Sequence, residues 1–409
     1  MKKLILFTCL AALLGCKPSV EVRLTNKTDM ERKAEMVEVA IDRHQAGFAE
    51  DATLVVRNDK GKEIPSQTTY DGLLIFQADI APNSSVKYTV SPGKPRNYTV
   101  YVCGKQYPGR LDDLAWENDL IAFRIYGPAL QATGERSFGN DVWVKKNTDL
   151  PVVEERYAKD LDPETRARIQ ALRQTDPDAA KILSDSTVYH VDHGNGMDVF
   201  KVGPTLGAGG TALLNSKGEI VYPYCYKTYK ILDNGPLRFT AELTYNPTVI
   251  DGRETTEHRI ISIDKGSFVN RTTVWYDGFD APYNVLSGIV IHQTAIAPVV
   301  SDEGHFVCVL DPCDHEGVGE IYVSMIFPDG WQKTGEVMFS ATEAETAHAT
   351  GHVAVYNSIA PDSRLTYYWG AQWNRGTVSP VPSFSHAAKA VYEKSYLLAN
   401  PIEVEIEKK

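Results

Sequence analysis

Cysteine is scarce in this sequence, six residues in 409, too few and too scattered for a disulfide scaffold, and no pair has zinc-ribbon spacing. Positive charge is also short. The 42 Lys and Arg stand against 53 Asp and Glu, for a formal net charge of −11. That balance argues against nucleic acid as a partner and gives no general attraction for polyanions, so an acidic substrate would need a local cationic pocket. Past the opening residues there is no apolar run of the roughly 20 residues that a membrane-spanning helix needs. Repeats and low-complexity tracts are missing too. What is there, 43% hydrophobic with 10% aromatic, suits a packed globular chain with length for one large β domain and a smaller one.

The opening carries Lys2 and Lys3, a short apolar run, and then Leu13-Leu14-Gly15 directly before Cys16. It resembles the lipobox of lipoprotein precursors. The expectation is an export signal over 1–15 and lipidation at Cys16, anchoring the body in the outer membrane and facing the periplasm. Losing Lys2 and Lys3 takes the formal charge from −11 to −13. Cys103, Cys225, Cys308 and Cys313 then remain, expected as thiols, with a Cys308 to Cys313 bridge open in an oxidising compartment.

Residues 16–95 alternate apolar and polar in short runs, such as Val20-Glu21-Val22-Arg23-Leu24, separated by turn signals such as Asn58-Asp59-Lys60-Gly61. That pattern predicts a small N-terminal β module ending near Pro92. Residues 96–409 form the main domain. It is interrupted at about 151–184 by a helical insertion, where Asp162-Pro163 and Asp176-Pro177 each supply an N-cap and a proline at the first helical position. The insertion is expected against an edge or over a site. A helix over Ser385 to Leu398 and a last alternating strand over Ile402 to Ile406 close the chain. Between 219 and 295 the strands are long and joined by breaks such as Asp233-Asn234-Gly235, which predicts a large antiparallel two-sheet sandwich.

The runs Asn234-Gly235-Pro236-Leu237-Arg238-Phe239, Ile263-Asp264-Lys265-Gly266-Ser267 and Val274-Trp275-Tyr276 resemble the supersandwich of galactose-mutarotase-like proteins. Together with the stretch from Trp116 to Arg124 and with His190-Val191-Asp192-His193-Gly194, they make the chain similar to a lipoprotein family of polysaccharide-degrading bacteria. Much of that family carries only a label of unknown function. Some relatives in ulvan degradation are oligosaccharide dehydratases, so the resemblance implies β-elimination on a uronate-containing oligosaccharide.

Such chemistry needs a cation to neutralise the carboxylate and a base to remove the proton beside it. On a strand, Ile121, Phe123 and Ile125 share one face, and Asn118, Ala122, Arg124 and Tyr126 the other. Arg124 and Tyr126 are therefore expected on an exposed face, gripping substrate, with Asn118 nearby; a structural salt bridge is the alternative. His190 and His193 are the candidate proton carriers, with Asp192 fixing tautomer and basicity. A structural turn remains open, and so does a divalent cation held by His190, His193 and Asp198; no other cofactor is implied. The glycines from 203 to 210 predict tight turns, not a phosphate loop.

Tyr222, Tyr224 and Tyr226 are read as one face of a strand with Lys227 on the other, a surface for sugar or a cross-strand ladder. Trp369 and Trp373 lie in a similar aromatic run. His258 and Arg259 must face opposite ways, and either could complete a substrate site. His292 is expected as a satisfied core or edge histidine. Three classes of function follow: an elimination enzyme, another carbohydrate enzyme such as a hydrolase or epimerase with Glu117 and Glu257 as its acids, and a non-catalytic glycan-binding lipoprotein.

Overall fold

The computed structural model describes residues 18–146, 151–313, 317–376 and 380–408. The expected signal and the Cys16 lipidation site lie outside them. The architecture is mainly antiparallel β, a large two-layer sandwich with a small β module at its N-terminal side. One layer of the sandwich is a nine-stranded sheet. The other is composite. A five-stranded sheet runs from Cys103–Tyr107 to Gly196–Asp198, and a second holds Ala208–Leu214, Tyr283–Ile291 and Gly351–Ile359. An Asn140 to Gly207 bridge joins their edges.

Alternation along the strands sends one residue in two into the space between the layers. Phe239, Ala241 and Leu243 do so from one side, and Trp116, Phe123, Val285 and Ile289 from the other. Trp116 stacks on Phe239 at 6.1 Å, and Phe123 meets Trp369 edge-on at 5.1 Å. Both indoles are satisfied, Trp116 donating to Asn270 and Trp369 to Thr272. Each such side chain contributes about 1.5–3 kcal/mol by burial. The expected glycine turns position this core. Gly209 has φ +85°, and a β-carbon there would stand 2.7 Å from Trp369.

The N-terminal module packs a five-stranded against a three-stranded sheet around Val22, Val39, Val56 and Phe76. Its boundary departs from expectation in one respect. The chain's last strand, Glu403–Lys408, pairs with Val20–Asn26, so the sheet is closed by a segment assigned to the main domain. An edge strand presents unpaired backbone groups, and the returning C-terminus covers them.

The helical insertion forms three helices, Val152–Asp160, Pro163–Thr175 and Pro177–Asp185. Asp162 and Asp176 cap the second and third as expected, accepting from Thr165 and Ala179. The first lays Val153 and Tyr157 on Ala115, Ala122 and Trp143, the outer face of the sheet that carries Arg124. The C-terminal helix Phe384–Ala399 covers the outer face of the nine-stranded sheet through Ala387 and Val391. Cys103, Cys225 and Cys308 are free thiols, the second and third buried. Among the described residues, no helix is long and apolar enough to cross a membrane.

Candidate functional site

Strand Ile121–Ile125 places Arg124 on the face opposite Phe123, as its alternation predicts. That face is not exposed. Under the Val152–Asp160 helix, Arg124 is 3% accessible. It lies 2.6 Å from Asp141, 2.8 Å from Asp198 and 3.6 Å from Asp113. Tyr126, also buried, receives a bond from the same guanidinium. Burial alone would lower the Arg124 guanidinium, and Asp141 with its neighbours more than reverses it, keeping it charged. Burial pushes the Asp141 carboxyl up to about 8 and Asp113 to about 6. Three carboxyls around one guanidinium carry excess negative charge, which a retained proton relieves. Arg124 is therefore spent inside the fold and does not grip a substrate. Asn118 is likewise internal, donating to the carbonyls of Asp264 and Ser267.

His190 reaches this cluster, its Nδ1 3.5 Å from Asp198. The histidine and arginine sites thus converge, but on a buried carboxylate. His193 turns away to the Val188 carbonyl. Asp192 serves neither histidine. It pairs with Lys146 and accepts from the amides of Gly194 and Gly196. Burial pushes its carboxyl up, and these donors outweigh that and hold it below the ordinary range. Among the described residues, no group of three His, Cys, Asp or Glu side chains is arranged to hold a metal ion. The cation alternative at His190, His193 and Asp198 thus lacks a coordination site.

The aromatic expectations fare similarly. Tyr222 and Tyr224 precede the strand that starts at Tyr226, so the three do not share a strand face. Both pack on Phe138, and Tyr224 donates to the Glu135 carbonyl. Tyr226 is buried and bonds the Asp112 carbonyl, while Lys227 is exposed. Trp369 is core, and Trp373 is 5% accessible with its indole donating to Val318. His258 and Arg259 do face opposite ways. His258 stacks on Trp275 and bonds Asp277, whereas Arg259 is buried against Glu257. Glu117 pairs with Lys145 at 2.6 Å and accepts the amides of Val152 and Val153, so both candidate hydrolase acids are occupied.

One pair stands apart. His292 follows the strand Tyr283–Ile291 of the composite layer, and Asp311 ends Phe306–Asp311 of the nine-stranded sheet. Their side chains meet across the gap between the layers, Nδ1 to Oδ2 at 2.5 Å. Asp311 is held in turn by the Cys313 amide at its other oxygen. A carboxylate at Nδ1 fixes the tautomer in which Nε2 exchanges protons, and strengthens the imidazole as a base. His352, nearby in charge, is the contrast: burial pushes it down to about 3, and its Nε2 only accepts the Leu206 amide.

The same end of the sandwich collects further chemistry. Asp311, Ile321 and Trp373 are opposite one another on three neighbouring strands, so their side chains rise from one face at about 5 Å per step. Lys146, just past the strand Asp141–Lys145, sets its ammonium 5.7 Å from the Trp373 ring. Phe200 packs edge-on to His292 at 5.4 Å. The sequence signal for His292 was a histidine closing an apolar strand, which also describes an ordinary edge residue. Asp311, 19 positions away, gave none.

Residues 24–404 match a family described as a domain of unknown function, DUF4861. The chain belongs to that family. A DUF4861-length relative, the uncharacterized protein P7 of Formosa agariphila, is 25% identical over 407 residues, covering 94% of this chain and 93% of that one. Among solved structures the DUF4861 chain is similar to an alpha-mannosidase from Enterococcus faecalis V583, with TM-score 0.46 and 9% identity. That match covers 95% of this chain and 46% of the other. A glycosyl hydrolase family 38 protein from Enterococcus faecalis gives TM-score 0.47 at 9% identity, over 95% and 47%. The chain spans about half the length of these two structures.

Proposed function

We propose that this protein is a carbohydrate-active enzyme that performs β-elimination on uronic-acid-containing oligosaccharides during polysaccharide breakdown, ulvan being one candidate source. The reading includes export and lipid anchoring through Cys16 in the outer membrane, facing the periplasm. The observation that carries the chemistry is the His292–Asp311 pair joining the two layers, with Lys146 and Trp373 at the same end.

In the proposed reaction His292 Nε2, which is buried in the structure and must be uncovered for the step, takes the proton at C5 beside the uronate carboxylate. Lys146, whose ammonium stays paired with Asp192, adds positive potential there. The electron pair left behind forms the C4–C5 double bond as the C4 oxygen departs. The imidazolium can return its proton to that oxygen, so a free hydroxyl leaves as water and the base is restored. A lyase differs only in the group that the departing oxygen carries. A hydrolase reading would need two available acids flanking a bond, and Glu117 and Glu257 are each engaged in a buried ion pair. A glycan binder using the aromatic run from Tyr367 to Trp373 would need it exposed, whereas Tyr367 and Trp369 are core.

The test is the ultraviolet absorbance of the conjugated unsaturated uronate, with mass spectrometry of the products, on a panel of uronic-acid-terminated oligosaccharides. Absorbance should rise with loss of one water and stay flat for His292→Ala. Shortened products without absorbance would replace elimination by hydrolysis, and undiminished turnover by His292→Ala would remove the pair from the mechanism.

A further inference from the structure

A cavity of about 490 Å³ lies away from the His292 end. It lies on the outer face of the nine-stranded sheet, between the N-terminal module and the C-terminal helix. Its volume is within the range of small-ligand sites. Its walls come from three parts of the chain. The strand Arg32–Val39 supplies Arg32, Lys33, Glu35 and Glu38; the sheet supplies Arg238, Asp264, Lys265 and Arg271; the helix supplies Lys394.

Six cationic side chains therefore face three carboxylates, in a protein whose formal net charge is −11. The carboxylates are engaged: Arg238 bonds both Asp264 and Glu38, and Lys394 is 3.3 Å from Glu35. Arg271 is only 3.5 Å from the shared Glu38, and Lys33 is exposed. Like-charge excess in a concave, partly apolar wall focuses a positive potential on whatever enters.

The wall is also built for a ring. Arg238 is opposite Asp264, Ser262 opposite Arg271, and Arg271 opposite Tyr368, so one sheet face presents cations beside an aromatic edge. Phe268 adds a second half-buried ring. The backbone of the opposite wall is strained. A register shift between Arg32 and Glu35 puts Ala34 at φ +46°, a left-handed conformation that a side chain disfavours. Gln77 ties this bulge down, donating to the carbonyls of Ala34 and Lys265.

We infer that this interdomain cleft binds an anionic saccharide, its carboxylate or sulfate held by Lys33 and Arg271 and its ring faces against Tyr368 and Phe268. It lies on the opposite face of the sheet from Asp311, so it would hold chain remote from the reacting unit. The inference goes beyond the proposed elimination and survives its failure, because it is read by binding and not by turnover.

Titration calorimetry on the full mature chain tests it with three probes: a galacturonate tetrasaccharide, a sulfated galactan tetrasaccharide and neutral cellotetraose. At least one acidic probe should bind tenfold or more tighter than cellotetraose, and the better of the two identifies carboxylate or sulfate as the anion. The pair Lys33→Glu with Arg271→Glu should weaken that binding at least tenfold, leaving the thermal midpoint and the kcat on a short substrate unchanged. If the pair disturbs folding, Lys33→Glu alone, on an exposed side chain, should weaken it at least threefold. Equal binding of acidic and neutral probes, no binding at all, or full affinity in the variant that folds would each overturn the inference.

Discussion

Among the places where this molecule brings histidine and aspartate together, the Arg124 cluster and the His292 pair differ in what completes them. Around Arg124 three aspartates and two tyrosines close on one another beneath a helix, with His190 at the exposed rim, and Arg124 Nε and Asp113 Oδ1 stay buried without a hydrogen bond among the described residues. At His292 one carboxylate from the facing layer orients one imidazole, and the partner sits at Nδ1. The first arrangement uses charge to fix how the helical insertion sits on its sheet. The second leaves a base defined by its tautomer. Residue type alone does not distinguish them; the direction from which the carboxylates approach does.

That contrast can be broken most directly through activity. His292→Ala should lower turnover of a uronate oligosaccharide by about 10²- to 10⁴-fold with an unchanged circular dichroism spectrum, and Asp311→Asn should cost less. Equal loss in Arg124→Ala with full stability would reverse the assignment of the two regions. Instead, Arg124→Ala should reduce unfolding free energy by about 3–5 kcal/mol, because it leaves buried carboxyls without their cation; urea denaturation reads this.

Lys146→Ala sharpens the second region. It should raise KM for uronate substrates severalfold more than it lowers kcat, and leave the affinity for neutral saccharides alone. The proton held near Arg124 gives a smaller effect that depends on pH. Asp141 is pushed up to about 8 from an ordinary 3.8, so the folded chain keeps a proton that the unfolded chain releases. Its stabilising contribution is fully present below about pH 4 and is lost as pH climbs toward 8, by at most about 1.4 kcal/mol per pH unit. Asp141→Asn should flatten the stability profile across that window; an unaltered slope would place the proton elsewhere. The smallest change is expected for His193→Ala, less than twofold in turnover, since its ring Nε2 is turned to the Val188 carbonyl.

Much of the fold was legible because it rests on local pattern. Alternation in Leu237 to Leu243, the capped helices opening at Asp162 and Asp176, and the break near Pro92 all register within a few residues of chain. Even the two faces of Ile121–Ile125 were assigned correctly by parity. What parity could not say is which face another element would cover. The Val152–Asp160 helix turned the polar face of that strand inward, and with it Arg124, Tyr126 and Asn118 passed from substrate contacts to internal ones.

By itself, then, the sequence determined the class of architecture, the excess of negative charge and the places where helices interrupt the strands, since each follows from periodicity, capping or composition over short spans. Tertiary structure alone decided the sites. His292 and Asp311 are neighbours because two different sheets end at the same pole. Lys33 and Arg271 share a cleft because the N-terminal module docks on the outer sheet face. Contacts between layers depend on how sheets stack and where insertions land, and no spacing along the chain encodes that distance.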